Sequence, residues 1–200
     1  MKRIITSLLI TFASLSFTAG AVESSPYKTL EHVGKNLFTR IANNQEELKK
    51  FPSLMETIVA EELMPHIDYQ YSAYRILGKN LKKTTKEQRE MFSNSMKHYL
   101  IRTYASALKQ YHNQQVTFER DKPVKGKRIV SVNTQILEMG KPTIEITFQM
   151  RQNKKTKEWK AYDMVVEGIS LLNTKKAELN SKITKLGVEQ VSLELAYIQK

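Results

Sequence analysis

The chain has 200 residues, 32 Lys and Arg against 20 Asp and Glu, a net charge of +12, and no cysteine. That length allows one domain with a sizeable core. The lack of cysteine excludes disulfides and thiolate metal sites.

The first predicted element is not part of the fold. Lys2 and Arg3 precede an apolar run from Ile4 to Phe17, and Ala19-Gly20-Ala21 has the small-residue pattern of a cleavage site. This is the pattern of a Sec signal peptide spanning residues 1–21 and cleaved, which leaves a single domain over 22–200. The run is short for a membrane span of about 20 apolar residues, and no second stretch of that length follows. Export without cysteine suits the bacterial periplasm. It also argues against nucleic acid as the partner of the basic surface. In an envelope compartment such a surface meets anionic headgroups or an acidic protein. The alternative, because the lysines are spread out, is a merely soluble surface with no specific target.

Helices come next. Tyr27, Leu30, Val33, Leu37 and Ile41 recur at helical spacing, so 26–43 is predicted as an amphipathic helix. Pro52-Ser53 opens a second, with Leu54, Ile58 and Leu63 on one side, stopped or kinked at Pro65. A third runs from His66 to Leu77 and ends at Gly78. Thr85 to Gln88 has the spacing of a capping box, and the helix it opens is predicted to reach about Tyr111. Its apolar face is wide, from Phe92 and Met96 through Leu100 and Tyr104 to Leu108 and Tyr111, which implies contact with more than one neighbour.

After residue 113 the period changes to two. Strands are predicted over 116–119, 128–138, 143–151 and 158–168. The third alternates cleanly: Ile144, Ile146, Phe148 and Met150 on one side, Thr143, Glu145, Thr147, Gln149 and Arg151 on the other. That pattern belongs to an antiparallel sheet with one wet face. In the fourth, unbroken alternation puts Tyr162, Met164 and Val166 on one face, and sends Trp159, Ala161, Asp163 and Val165 to the other, with Asp163 on the wet side. A helix from Leu171 to about Leu186 is stopped by Gly187, and a short last helix carries Val191, Leu195 and Ile198. The predicted fold is α+β: a curved, four-stranded antiparallel sheet packed against a helical subdomain.

Little in the chain points to bond-breaking chemistry. His32, His66, His98 and His112 form no H-E-x-x-H or H-x-H pattern, and His66 and Asp68 point apart if helical. There is no G-x-S-x-G elbow and no glycine-rich phosphate cradle. Tyrosines and methionines lie on the helices and strands that would enclose the sheet face. Both residue types suit an oily-to-wet boundary, and both are ordinary core residues.

Three stretches carry a resemblance. They are ILGKNLKKTTKEQREMF with Leu77-Gly78, Gln88 and Phe92; YLIRTYASALKQY with Leu100, Thr103-Tyr104, Leu108 and Tyr111; and WKAYDMVVEGISLLNTKK with Trp159, Tyr162-Asp163, Glu167-Gly168 and Ser170. In these the chain resembles the periplasmic phospholipid-binding proteins of the Mla (maintenance of lipid asymmetry) pathway, the toluene-tolerance auxiliary family. It departs from many members at Asn173-Thr174-Lys175-Lys176 and Leu179, where they carry Tyr-Arg and then a Phe. The resemblance implies a soluble carrier with a lipid cavity between sheet and helices. Its ligand would be a phospholipid, and its partners an outer-membrane lipoprotein–porin complex and an inner-membrane ABC transporter complex with its substrate-binding ring. No cofactor and no catalysis are implied. On that reading the lipid-binding residues are Val130, Val132, Ile136, Ile144, Ile146, Phe148, Met164 and Val166 from the sheet, and Leu37, Tyr74, Leu100 and Tyr104 from the helices. All of these equally suit a plain core. The alternatives are a small periplasmic α+β hydrolase or isomerase, and an adaptor with a closed core.

Overall fold

The computed structural model describes residues 25–112 and 114–197. The expected signal segment 1–21 and Ile198 lie outside them.

Helix α1 spans Pro26–Asn43, with Ser25 accepting from the Lys28 N–H and Pro26 in the first turn, where its missing N–H costs nothing. It buries the predicted stripe Leu30, Val33, Leu37 and Ile41. A short α2, Gln45–Lys50, follows; it has no fully buried residue, only Leu48 partly packed against the core, and so left no apolar periodicity to read. Helix α3, Leu54–Ile58, widens into a π-helical turn, Val59–Leu63, then tightens into a 3-10 turn, Met64–His66. Pro65 is the cause: it lacks an N–H and its ring crowds the carbonyl of residue 61, so the α-helix cannot pass through it.

Helix α4, Tyr69–Leu77, begins one turn later than predicted because Asp68 caps it, accepting from the Tyr71 N–H at 3.1 Å. Gly78 ends it at φ +52°. After a 3-10 turn at Gly78–Lys83 comes α5, Lys86–Leu108, with both halves of the capping box made. Gln88 donates its N–H to Thr85 Oγ1 at 3.2 Å, and Thr85 donates its own to Gln88 Oε1 at 2.9 Å.

The sheet is an antiparallel meander in chain order: β1 Gln115–Phe118, β2 Ile129–Leu137, β3 Ile144–Gln152, β4 Trp159–Val166 and β5 Ile169–Ser170. It has five strands, not four. Glu167 and Gly168 both adopt positive φ, +48° and +80°, as a tight two-residue hairpin requires, so the predicted fourth strand ends at Val166 and doubles back. One face is wet as expected. Ser131 donates to Gln149 and Thr147 donates to Asn133 across β2 and β3.

On β4 simple alternation fails. Met150 pairs with Ala161 but Gln149 pairs with Asp163, so Tyr162 is an extra residue, a β-bulge. The slip brings Trp159 and Ala161 into the core, 2% and 4% exposed, on a strand that also turns Met164 inward further along. Helix α4 holds the bulge. Ser72 Oγ donates to the Tyr162 carbonyl at 2.6 Å, the Asp68 N–H donates to the Ala161 carbonyl at 2.8 Å, and Asp68 pairs with Arg151 on β3. Arg151 stacks on the Tyr71 ring at 4.2 Å, and that ring meets Tyr162 edge-on at 5.1 Å.

Asp163 is not on the wet face. Its carboxylate accepts from the Leu172 N–H at 3.0 Å and from Ser170 Oγ at 2.7 Å, and Ser170 Oγ accepts from the Asn173 N–H. It therefore caps the last helix, α6, Leu171–Tyr197, which breaks at Gly187 where φ is +81°. No helix among the described residues is long and apolar enough to cross a membrane.

Two apolar clusters result. One joins α1, α3 and part of α5 to the near end of the sheet, around Ile41, Ile58, Val132, Met150 and Trp159. The other joins α4, α5 and α6 around Ile76, Phe92, Met96, Leu179 and Val191.

Asp163→Ala is expected to lower stability by about 1–2 kcal/mol, the value of a lost cap with partners left unmade. The check is the urea midpoint, and no change there would show that α6 does not depend on this carboxylate.

Candidate functional site

Between the two clusters lies a cavity of about 950 Å³. Its size is near the upper end for ligand sites. Its floor is the inward sheet face: Ile136, Ile144, Ile146, Phe148 and Met164. Its roof comes from α1 and α5, whose wide apolar face is divided between packing and cavity: Met96 is buried, whereas Leu100, Tyr104 and Leu108 are only partly covered and border the void. Leu37 and Phe38 close the α1 side.

Thus Leu37, Leu100, Tyr104, Ile136, Ile144, Ile146, Phe148 and Met164 converge on one space. The remaining candidates do not border it. Val130 and Val132 share the inward face of β2 but sit at the packed end of the sheet, 9% and 0% exposed. Val166 is the last residue of β4, where the chain turns into the hairpin beside β5. Tyr74 lies two residues from Ser72 and Ile76, which do border the cavity, so it faces the other side of α4 and packs with the α4–α5–α6 cluster.

Further residues complete the wall. Tyr99, Thr103 and Tyr111 lie on the wide face of α5 or just beyond its end, and their stripe was a usable signal. Phe118 and Asp163 had none: their position depends on the pairing of β1 and on the bulge. Gly34 has a steric reason. A Cβ there would stand 2.4 Å from the tip of the Phe118 ring, so the glycine lets α1 approach β1 closely.

Polar groups gather at one end of the cavity, formed by the β2–β3 hairpin, the β4–β5 turn and the start of α6. Glu138, Lys141, Glu167, Lys175 and Glu178 border it there. Tyr104, enclosed by protein yet facing the void, has its phenol pushed up to about 12 by burial, then by Asp163 and Tyr99. Burial pulls the Lys175 ammonium down, but hydrogen bonds to Glu178 and Tyr99 outweigh it and hold the group above the ordinary lysine value.

The fold and this site define a class: a single α+β domain built around one large apolar cavity with a polar end. A family model described as "MlaC protein" matches residues 31–197. The intermembrane phospholipid transport system binding protein MlaC of Haemophilus influenzae is 32% identical over 174 residues, covering 86% of this chain and 81% of that protein. The toluene tolerance protein ttg2D of Pseudomonas putida is 25% identical over 172 residues, covering 86% and 77%. A structure of the phospholipid-binding protein from Ralstonia solanacearum in complex with a phospholipid shares the fold, with a TM-score of 0.76 at 21% identity over 86% of this chain and 95% of that one. The chain belongs to the MlaC family.

Two outcomes are expected from this geometry. Gly34→Ala drives a methyl group into the Phe118 ring and costs roughly 1–3 kcal/mol by overpacking. Adding Phe118→Leu should return most of that loss in a double-mutant cycle, whereas simple additivity would remove the contact as the cause. For Tyr104, the unfolded phenol loses its proton near pH 10 while the folded one keeps it to about 12. Stability is therefore nearly unaffected below pH 10 and falls by about 2 kcal/mol as pH rises to 12. The Tyr104→Phe variant should show a correspondingly smaller fall in denaturation midpoint over that window.

Proposed function

We propose that this protein is a soluble periplasmic carrier of phospholipid. Residues 1–21 direct its export and are removed. The mature domain takes acyl chains into the cavity and leaves the headgroup at the polar end. It passes lipid between an outer-membrane lipoprotein–porin complex and an inner-membrane ABC transporter complex with its substrate-binding ring, and so maintains outer-membrane lipid asymmetry. It breaks no bond and uses no cofactor.

The observation that carries the reading is the cavity of about 950 Å³ lined by Ile, Leu, Phe and Tyr side chains. An apolar hole of about 150 Å³ accepts one benzene, so this one takes roughly six, on the order of 36 carbon atoms, the content of two long acyl chains. The cavity is partly open, so when unfilled it sets water against mostly apolar walls, and an acyl chain that takes its place buries hydrocarbon on both sides. The names of the relatives, a phospholipid transport binding protein and a phospholipid-binding protein seen with its lipid, point the same way.

The need for a carrier follows from hydrocarbon in water. Each exposed CH₂ costs about 0.8 kcal/mol, so two chains of roughly 15 such groups face about 24 kcal/mol on leaving a bilayer. A cavity as apolar as the membrane removes most of that barrier without chemistry.

Organic extraction of the protein purified natively from the periplasm is expected to yield glycerophospholipid in about equimolar amount. Recovery of none would count decisively against the carrier. Ile146→Glu, which puts a charge on the cavity floor, is expected to keep the fold and lose the lipid. Val132→Trp overfills a position with no exposure and should instead lower the stability of the domain by at least about 1–3 kcal/mol.

A further inference from the structure

Among the described residues that border the cavity, the only cations are Lys141 and Lys175. Lys141 is exposed and tied to Glu138 in its own hairpin at 2.6 Å. Lys175 is different. Its side chain is 19% exposed, and its Nζ sits 4.5 Å from the centre of the Tyr99 ring and 2.6 Å from the Glu178 carboxylate. An ammonium drawn so far out of water needs an anionic partner. Its present one is a carboxylate 48% exposed, one turn along the same helix, free to rotate back into solvent.

The neighbouring carboxylates are committed elsewhere. Asp163 accepts from Ser170 and the Leu172 N–H, Glu167 from the Glu145 N–H, and Glu138 from Lys141 and Gln114. Of the two ion pairs at the cavity wall, Lys141–Glu138 and Lys175–Glu178, only the second has an ammonium largely withdrawn from water and held over an aromatic ring, so its counterion can change without the lysine swinging out into solvent. A phosphate diester seated at the polar end would offer a stronger, multidentate set of acceptors than one half-solvated carboxylate. The Tyr99 ring beneath the ammonium keeps it in place while the counterion changes.

We propose that Lys175 binds the phosphate of the lipid headgroup at the cavity mouth, displacing Glu178. This rests on the carrier reading above and adds its selectivity. The chain recognises the phosphate that all glycerophospholipids share and ignores the alcohol beyond it, so it discriminates against uncharged diacylglycerol.

The test uses the full mature protein, stripped of lipid and mixed with phosphatidylcholine vesicles carrying either labelled phosphatidylglycerol or labelled diacylglycerol. Native mass spectrometry counts what is retained. Lys175→Gln is expected to lower phosphatidylglycerol retention roughly tenfold, the worth of one charge-assisted hydrogen bond, and to leave diacylglycerol retention unchanged. Lys175→Arg should restore the phospholipid, and Glu178→Gln should raise its retention. Equal losses of both lipids, or none of either, would overturn the assignment. So would stabilisation by inorganic phosphate alone that vanishes in Lys175→Gln, since the site would then belong to the free anion. If the unaltered protein retains no lipid at all, the carrier reading fails first.

Discussion

A strand that alternates without a break cannot send Trp159, Ala161 and Met164 to the same side, because the first two differ in parity from the third. The protein needs all three facing inward: two to complete the packed cluster, one to line the cavity. The extra residue at Tyr162 reconciles them. That bulge is pinned by Ser72, Asp68 and Arg151, so α4, β3 and β4 share one hydrogen-bonded seam. Its second half, Asp163, caps α6 and so sets where the last helix starts. The position of the roof, the direction of the floor and the polar end of the cavity all trace back to this one slip in register.

A domain of this size ordinarily builds one contiguous core. Here the apolar residues divide into two clusters, with the void between them bordered by residues such as Leu100 that touch both. The division follows from how the helices are tethered. Helix α1 is held close to β1 by the absence of a side chain at Gly34, and α4 is fastened to β4 by the seam. Helix α5 spans from one cluster to the other and cannot settle fully onto the sheet. A shape held at its ends and open in its middle lets the same apolar residues serve stability at the rim and ligand contact at the centre.

The local elements were readable because their causes are local. The Thr85–Gln88 box, the Pro26 start, and the stops at Gly78 and Gly187 each depend on residues within one turn, and each appears where the sequence puts it. The apolar stripe of β3 and the wide face of α5 correctly announced a sheet with one wet face under a broadly packed helix. What could not be read involves partners far apart in the chain. Ser72 and Tyr162 are separated by 90 positions, and their bond pins the bulge next to which Asp163, expected on the wet face, caps α6. The same limit explains Val130 and Val132: their parity was right, but which end of the sheet is plugged depends on where α1 and α3 dock.

The sequence by itself determined the order and kind of the main elements, α2 and β5 excepted, the wet and dry faces of β2 and β3, and a family resemblance spread over most of the chain. Those follow from periodicity, capping and turn chemistry, which act over a few residues. Only the tertiary structure decided that the dry face borders a hollow as well as a packed core. An isoleucine that fills a core and one that walls a cavity carry the same side chain; the difference is the distance at which its neighbours are held, and that is a property of the whole fold.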